Sequence, residues 1–257
     1  MQLSIDVRAH AYDALPVLAN VAFEVAQGEV VALIGPSGCG KSTLLGIVGG
    51  LIRPSDGVVE VRGAMAPGTL NPFTYVFQDF ALLPWRSVAD NVAFALEHHQ
   101  LSRAERAARV DDALRRTGLS DFARALPKQL SGGMRQRVGI ARALAVSPAV
   151  LLLDEPLSAL DAQTREILME DFLDIWLRDR ITALYVTHKL SAALRLAARV
   201  VGLSRRPGRI KEIVAIDIPQ AERTGTAAAA PLARLHERLW TLIRDEAVSA
   251  DREMIHA

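Results

Sequence analysis

The residues best equipped for chemistry stand in the run Gly35-Pro36-Ser37-Gly38-Cys39-Gly40-Lys41-Ser42-Thr43, which has GxxxxGK[ST] spacing. A polyphosphate needs many convergent N–H donors at close range, and only a stretch nearly free of side chains lets the backbone approach it; Gly35, Gly38 and Gly40 supply that freedom. The spacing predicts a phosphate loop in which Lys41 reaches the β- and γ-phosphates and the Ser42 hydroxyl ligates Mg²⁺. The plain alternative is a glycine-rich turn that binds nothing.

Other candidates follow apolar runs. Val150-Leu151-Leu152-Leu153 reads as a strand buried on both faces, and Asp154-Glu155 stands at its carboxyl end. Burying two adjacent acids without partners is costly, so a cation or a task is expected. Asp154 suits Mg²⁺ placement through its water shell, and Glu155 suits proton removal from an attacking water; two exposed acids are the alternative. Ile181–187 reads as a further buried strand that delivers His188, either to a γ-phosphate or attacking water or as a bystander. Thr74-Tyr75-Val76-Phe77 ends on Gln78, a phosphate-side or metal-side amide, or an ordinary exposed glutamine. In Leu130-Ser131-Gly132-Gly133-Met134-Arg135-Gln136-Arg137, Ser131 is a good N-cap and the glycines clear backbone ahead of a helix, a second helix start suited to an anion. Val138, Ala141, Leu144 and Ala145 fall on one face of that helix. Tyr12 could stack on adenine or merely pack. Cys39 reads as a small filler inside the loop; a thiol-alkylating reagent should block nucleotide binding, and bound nucleotide should protect it.

These residues need elements to hold them. Residues 28–34 read as a buried strand before the loop and 44–48 as a helix after it, whose free N–H groups and dipole face the same anion. Residues 3–8 and 20–25 alternate as half-buried antiparallel strands, and 57–63 is a strand bounded by glycines. Helices are predicted over 87–98, 103–116, 119–126 and from Thr164 to about Arg178. Residues 200–203 and 209–216 flank a hairpin turn at 205–208; alanine-rich 221–231 reads as a linker, and 232–247 as a terminal amphipathic helix.

The 257 residues suffice for one large domain with subdomains, and the net charge of +1 points to neither nucleic acid nor a membrane surface as main partner. No apolar run approaches the roughly 18 to 20 residues of a bilayer span. The first residues lack a signal-peptide pattern, which predicts a cytoplasmic protein, and a single cysteine excludes an internal disulfide framework.

In this order, the phosphate loop, Gln78, Leu130-Ser131-Gly132-Gly133, Asp154-Glu155, Asp161 and His188 resemble the ATP-binding subunits of ABC transporters over residues 1 to about 220. The resemblance implies an α/β P-loop NTPase fold: a RecA-like core, an antiparallel β-subdomain and an inserted α-helical subdomain. The expected division is 1–84 for the β-subdomain and first core part, 85–147 for the helical subdomain with the signature, 148–220 for the rest of the core, and 221–257 for linker and C-terminal helix. It also implies that Tyr12 stacks on adenine, that Gln78 touches Mg²⁺ and a permease-facing lid, and that Asp161 joins the nucleotide site. Ser131, Gly132 and Gly133 of one subunit would close over the γ-phosphate held by another, making a homodimer with ATP at its interface.

Val76-Phe77-Gln78, Leu83-Pro84-Trp85, Asp90-Asn91-Val92, Met134 and Arg206-Pro207-Gly208-Arg209-Ile210 are similar to the importer branch for nitrate, sulfonate and taurine. Lys189 and Ala192 depart from it, where members commonly carry an aspartate and a glutamate. Expected partners are an integral membrane permease and, indirectly, an extracytoplasmic solute-binding protein, with the subunit peripheral on the cytoplasmic face of the cell membrane. A soluble ABC-type ATPase outside transport, or a small-molecule kinase, are the other classes.

Overall fold

In the computed structural model, which describes residues 1–78, 81–157 and 161–255, the chain forms in order β1 (Gln2–Tyr12), β2 (Leu15–Val25), β3 (Val30–Ile34), α1 (Lys41–Val48), β4 (Asp56–Arg62), β5 (Phe73–Val76), α2 (Val88–Phe94), α3 (Arg103–Arg116), α4 (Gly132–Ala145), β6 (Val150–Asp154), α5 (Ala162–Asp179), β7 (Thr182–Val186), α6 (Leu190–Leu196), β8 (Arg199–Leu203), β9 (Ile210–Ala215) and α7 (Thr226–Ile255). Two compact units result: Met1–Ala64 with the chain from Thr182 onward, and Met65–Ile181.

In the first unit β1 pairs antiparallel with both β2 and β4. Its alternation sends Leu3, Ile5 and Val7 inward and leaves Arg8 in solvent. β3 lies parallel between β7 and β8, and β9 closes that edge antiparallel. Every residue of β3 and β7 is buried, as strands covered on both faces require. Arg199 Nε and Nη2 donate to Glu29 at 2.6 and 2.9 Å, tying the starts of β8 and β3, and the carboxylate holds the guanidinium above its usual pKa.

In the second unit β5 and β6 pair in parallel, and α2, α3 and α4 share an apolar core of Val92, Leu96, Val110, Leu114, Val138 and Ala141. Fully burying a valine or leucine contributes roughly 1.5–3 kcal/mol, so such a cluster outweighs the low intrinsic stability of three short helices. Asn91, buried on α2, has four bonds to the preceding loop. Its Oδ1 accepts from Leu83 N at 2.8 Å, and Nδ2 donates to the carbonyls of Leu83, Arg86 and Ser87 at 3.0–3.1 Å. The loop so pinned leaves Trp85 73 % exposed.

Several sequence expectations are corrected. The first two strands run past the expected limits at 8 and 20 to form one long hairpin with its turn at Asp13, whose φ is 52°, and Tyr12 ends β1. Residues 119–126 hold only a 3₁₀ turn at Ser120–Phe122. The carbonyls of Ala123 and Ala125 accept from Ala89 and Val88 at the start of α2 and are lost to a local helix. The 87–98 helix ends at Phe94, where i→i+3 bonds tighten the chain through His99. The alanine-rich stretch read as a linker is helical from Thr226, since alanine favours helix most even where no apolar stripe marks it. Among the described residues, no helix is long and apolar enough to cross a membrane.

Candidate nucleotide site

β3 delivers the glycine-rich loop to its carboxyl end, and α1 begins at Lys41. The N-cap Gly40 takes φ 101°, a conformation that strains any residue with a Cβ. A Cβ there would also lie 2.7 Å from Leu18 Cδ2, so glycine is required twice over. From the other side, Gly208 bridges Leu18, with Gly208 N donating to Val17 O at 2.8 Å and Ala19 N to Gly208 O at 3.0 Å. A Cβ on Gly208 would collide with the Cys39 carbonyl. The loop is therefore braced by β2 and by the turn before β9.

Lys41 is 8 % exposed, and its Nζ donates to the carbonyls of Gly35 at 2.8 Å and Pro36 at 2.9 Å. The ammonium thus lies within the loop, while Ser37, Gly38 and Ser42 are exposed and Pro36 and Thr43 half-buried. Cys39 is fully buried, and burial pushes its thiol pKa up despite the nearby Lys41 charge. The expectation of ready alkylation changes accordingly. Native protein is expected to react with iodoacetamide far more slowly than urea-unfolded protein, with ATP slowing it further; equal rates would mean that the loop opens freely.

His188 follows β7 and is exposed, at the carboxyl end of the strand paired with β3. Thr187 N donates to Leu33 O at 3.2 Å, which fixes this connection beside the end of β3. Lys189 is the N-cap of α6 and gives no side-chain cap, and Ala192 is buried on that helix. Tyr12, also in this unit, stands at the hairpin tip and is 48 % exposed.

In the second unit, exposed Gln78 comes just after β5, and the half-buried pair Asp154-Glu155 stands at the carboxyl end of the adjacent strand β6, Asp154 as its last residue. Burial, and then the Asp154 charge, hold the Tyr75 phenol well above its usual pKa. Glu155 adopts φ 46°, a left-handed conformation uncommon for a residue with a side chain. Ser131 caps α4, its Oγ accepting from Met134 N at 3.2 Å, with Gly132 exposed beside it. Gly133 is buried, and a Cβ there would lie 2.7 Å from Thr164 Cγ2, so this glycine also permits the close approach of α4 and α5. Asp161 caps α5: its Oδ1 accepts from Thr164 N at 2.9 Å, and that bond lowers its pKa. Residues 158–160, between Glu155 and this cap, lie outside the described residues.

A family model described as "ABC transporter" matches residues 18–158. The chain belongs to the ABC transporter family. This ABC ATP-binding subunit is 43 % identical over 247 residues to the taurine import ATP-binding protein TauB of Sinorhizobium fredii, covering 93 % of this chain and 90 % of that protein. It is 42 % identical over 233 residues to an uncharacterized ABC transporter ATP-binding protein of Methanocaldococcus jannaschii, covering 91 % and 86 %. Among solved structures, the dimeric post-hydrolysis state of the ATP-binding cassette MJ0796, bound to ADP and Pi, superposes with a TM-score of 0.70 at 31 % identity, covering 84 % of this chain and 99 % of that one. The α/β ABC ATPase fold and ATP-hydrolysing activity follow from this membership.

Three features of the site were not read from the sequence. Gly208 was read as part of a turn and of the importer-branch stretch 206–210, but not as a brace of the loop, because its contact with Cys39 joins distant residues. The conformation of Glu155 leaves no trace in residue type. His10, buried beside Tyr12, sits in a strand segment that the alternation pattern did not extend to.

Proposed function

We propose that this subunit hydrolyses ATP to drive uptake of a small nitrate-, sulfonate- or taurine-like solute through a separate membrane permease. The observation that carries this reading is the 43 % identity to a taurine import ATP-binding protein across nearly the whole chain. Two copies pair as a homodimer. The amides of Gly35, Pro36, Ser37, Gly38, Cys39 and Gly40 wrap the phosphates, and Lys41 exchanges its loop carbonyls for phosphate oxygens. Thr43 supports the loop from α1, and Tyr12 stacks on the base.

Ser131, Gly132 and Gly133 of the second copy aim the start of α4 at the same γ-phosphate, with Asp161 lining the closed site. Ser42, Asp154 and Gln78 would hold Mg²⁺; hydroxyl, carboxylate and amide oxygens form the kind of donor set this hard cation takes. When bound, the ion neutralises phosphate charge. Glu155 takes a proton from the attacking water, and His188 holds the γ-phosphate or that water from the end of β7.

The permease docks against the loop that presents Trp85, and a solute-binding protein beyond the membrane supplies it. The subunit then sits peripherally on the cytoplasmic face. Affinity purification from native membranes is expected to recover an integral membrane permease, and Trp85→Glu to lose it. A protein recovered wholly in the soluble fraction, with ATPase activity indifferent to membranes, would instead favour a soluble ABC ATPase outside transport.

A further inference from the structure

We propose that His10 is a positioning residue for the base of the bound nucleotide, acting by fixing the ring of Tyr12. His10 is 6 % exposed, yet neither of its ring nitrogens has a hydrogen-bond partner among the described residues. A buried imidazole without partners is costly, and the contact this one does make is with an aromatic ring. Its ring meets that of Tyr12 with centroids 4.9 Å apart and planes at 87°, the perpendicular arrangement that aromatic quadrupoles favour.

His10 also stands directly across from Leu18 in the β1–β2 ladder, so the two side chains share one face of the sheet. Leu18 in turn is the residue against which Gly40 of the phosphate loop closes. A line of neighbouring residues therefore runs from the loop through Leu18 and its cross-strand partner His10 to the exposed tyrosine. The far end of this line is the one aromatic face in the hairpin that solvent, and hence a base, can reach. With the phosphates seated on the loop, the orientation of Tyr12 decides whether a base can lie flat on it. His10 supplies the wall that holds that orientation.

This inference rests on the reading of Tyr12 as the adenine-stacking residue, and the test separates the two. Binding of ATP and of inorganic tripolyphosphate, each with Mg²⁺, is measured for Tyr12→Ala, His10→Ala, His10→Phe and the double alanine variant. An edge-to-face pair of this kind corresponds to about a two- to tenfold effect. His10→Ala is expected to weaken ATP binding by that factor and leave tripolyphosphate unchanged, and His10→Phe to recover the ATP affinity. The double variant is expected to bind ATP no worse than Tyr12→Ala alone. If Tyr12→Ala binds ATP normally, the stacking reading fails, and the inference falls with it. If Tyr12→Ala weakens ATP while His10→Ala does not, or the two losses add, the positioning role of His10 alone is overturned. Equal losses for ATP and tripolyphosphate in His10→Ala would likewise overturn it, assigning His10 to the fold rather than to the base.

Discussion

Glu155→Gln is expected to bind ATP with near-normal affinity and to hydrolyse it on the order of 10²–10⁴ times more slowly, the usual loss on removing a general base. The substitution keeps the shape and reach of the side chain, and removes its charge and its capacity to take a proton. It also keeps the backbone problem unchanged. Glu155 sits at φ 46°, which costs about 1–2 kcal/mol for any residue with a Cβ, so glutamine meets the same penalty as glutamate. The fold around the end of β6 maintains this strained position, in keeping with a site whose geometry matters more than its local stability. Single-turnover phosphate release gives the rate, and size-exclusion chromatography with ATP should show paired subunits accumulating. Turnover within a few-fold of the parent protein would remove Glu155 from the role of base.

Lys41→Ala is expected to fail one step earlier. Its ammonium makes two charge-assisted hydrogen bonds, to Gly35 O and Pro36 O, and is nearly enclosed by the loop. A hydrogen bond to a charged acceptor is roughly twice as strong as one to a neutral carbonyl, so exchanging the two loop carbonyls for phosphate oxygens gains about 1.5–3 kcal/mol net. That corresponds to roughly a ten- to hundredfold loss of ATP affinity, measurable by equilibrium dialysis. Thermal unfolding should be followed alongside, because the truncation also leaves two loop carbonyls without their donor. ATP affinity retained within a few-fold would show that the loop amides alone hold the phosphates. Together the two variants separate binding from chemistry.

The strand, loop and helix from Val30 to Val48 were legible because three independent signals agree: a continuous apolar run, glycines where the backbone must be bare, and a lysine at the helix start. The α4 start was legible for a similar reason, since Ser131 is both a good cap and followed by glycines. What escaped depended on partners distant in sequence. The hairpin extends to Tyr12 because Ala9 and His10 pair with Ala19 and Leu18 of β2, and Ala9 also with Asp56 of β4, which overrides a broken alternation. Residues 119–126 have adequate helical composition, but their carbonyls are claimed by α2. Asp161 was expected at the nucleotide through family resemblance, whereas its observed bond is a helix cap two residues before the expected start of α5 would place it. A carboxylate offers about four acceptor sites, so the cap bond leaves room for a further contact.

The buried amide of Asn91 has a consequence for any protein that grips Trp85. Fixing one residue's backbone costs about 1–2 kcal/mol of conformational entropy at 25 °C, and a floppy loop of this length would impose that charge at the moment of docking. Here the ordering is completed when α2 packs, since four hydrogen bonds hold Leu83 through Ser87 from a side chain that solvent never touches. The tryptophan is thus offered on a stiff mount, and a push applied to it travels into the helix instead of being absorbed by slack.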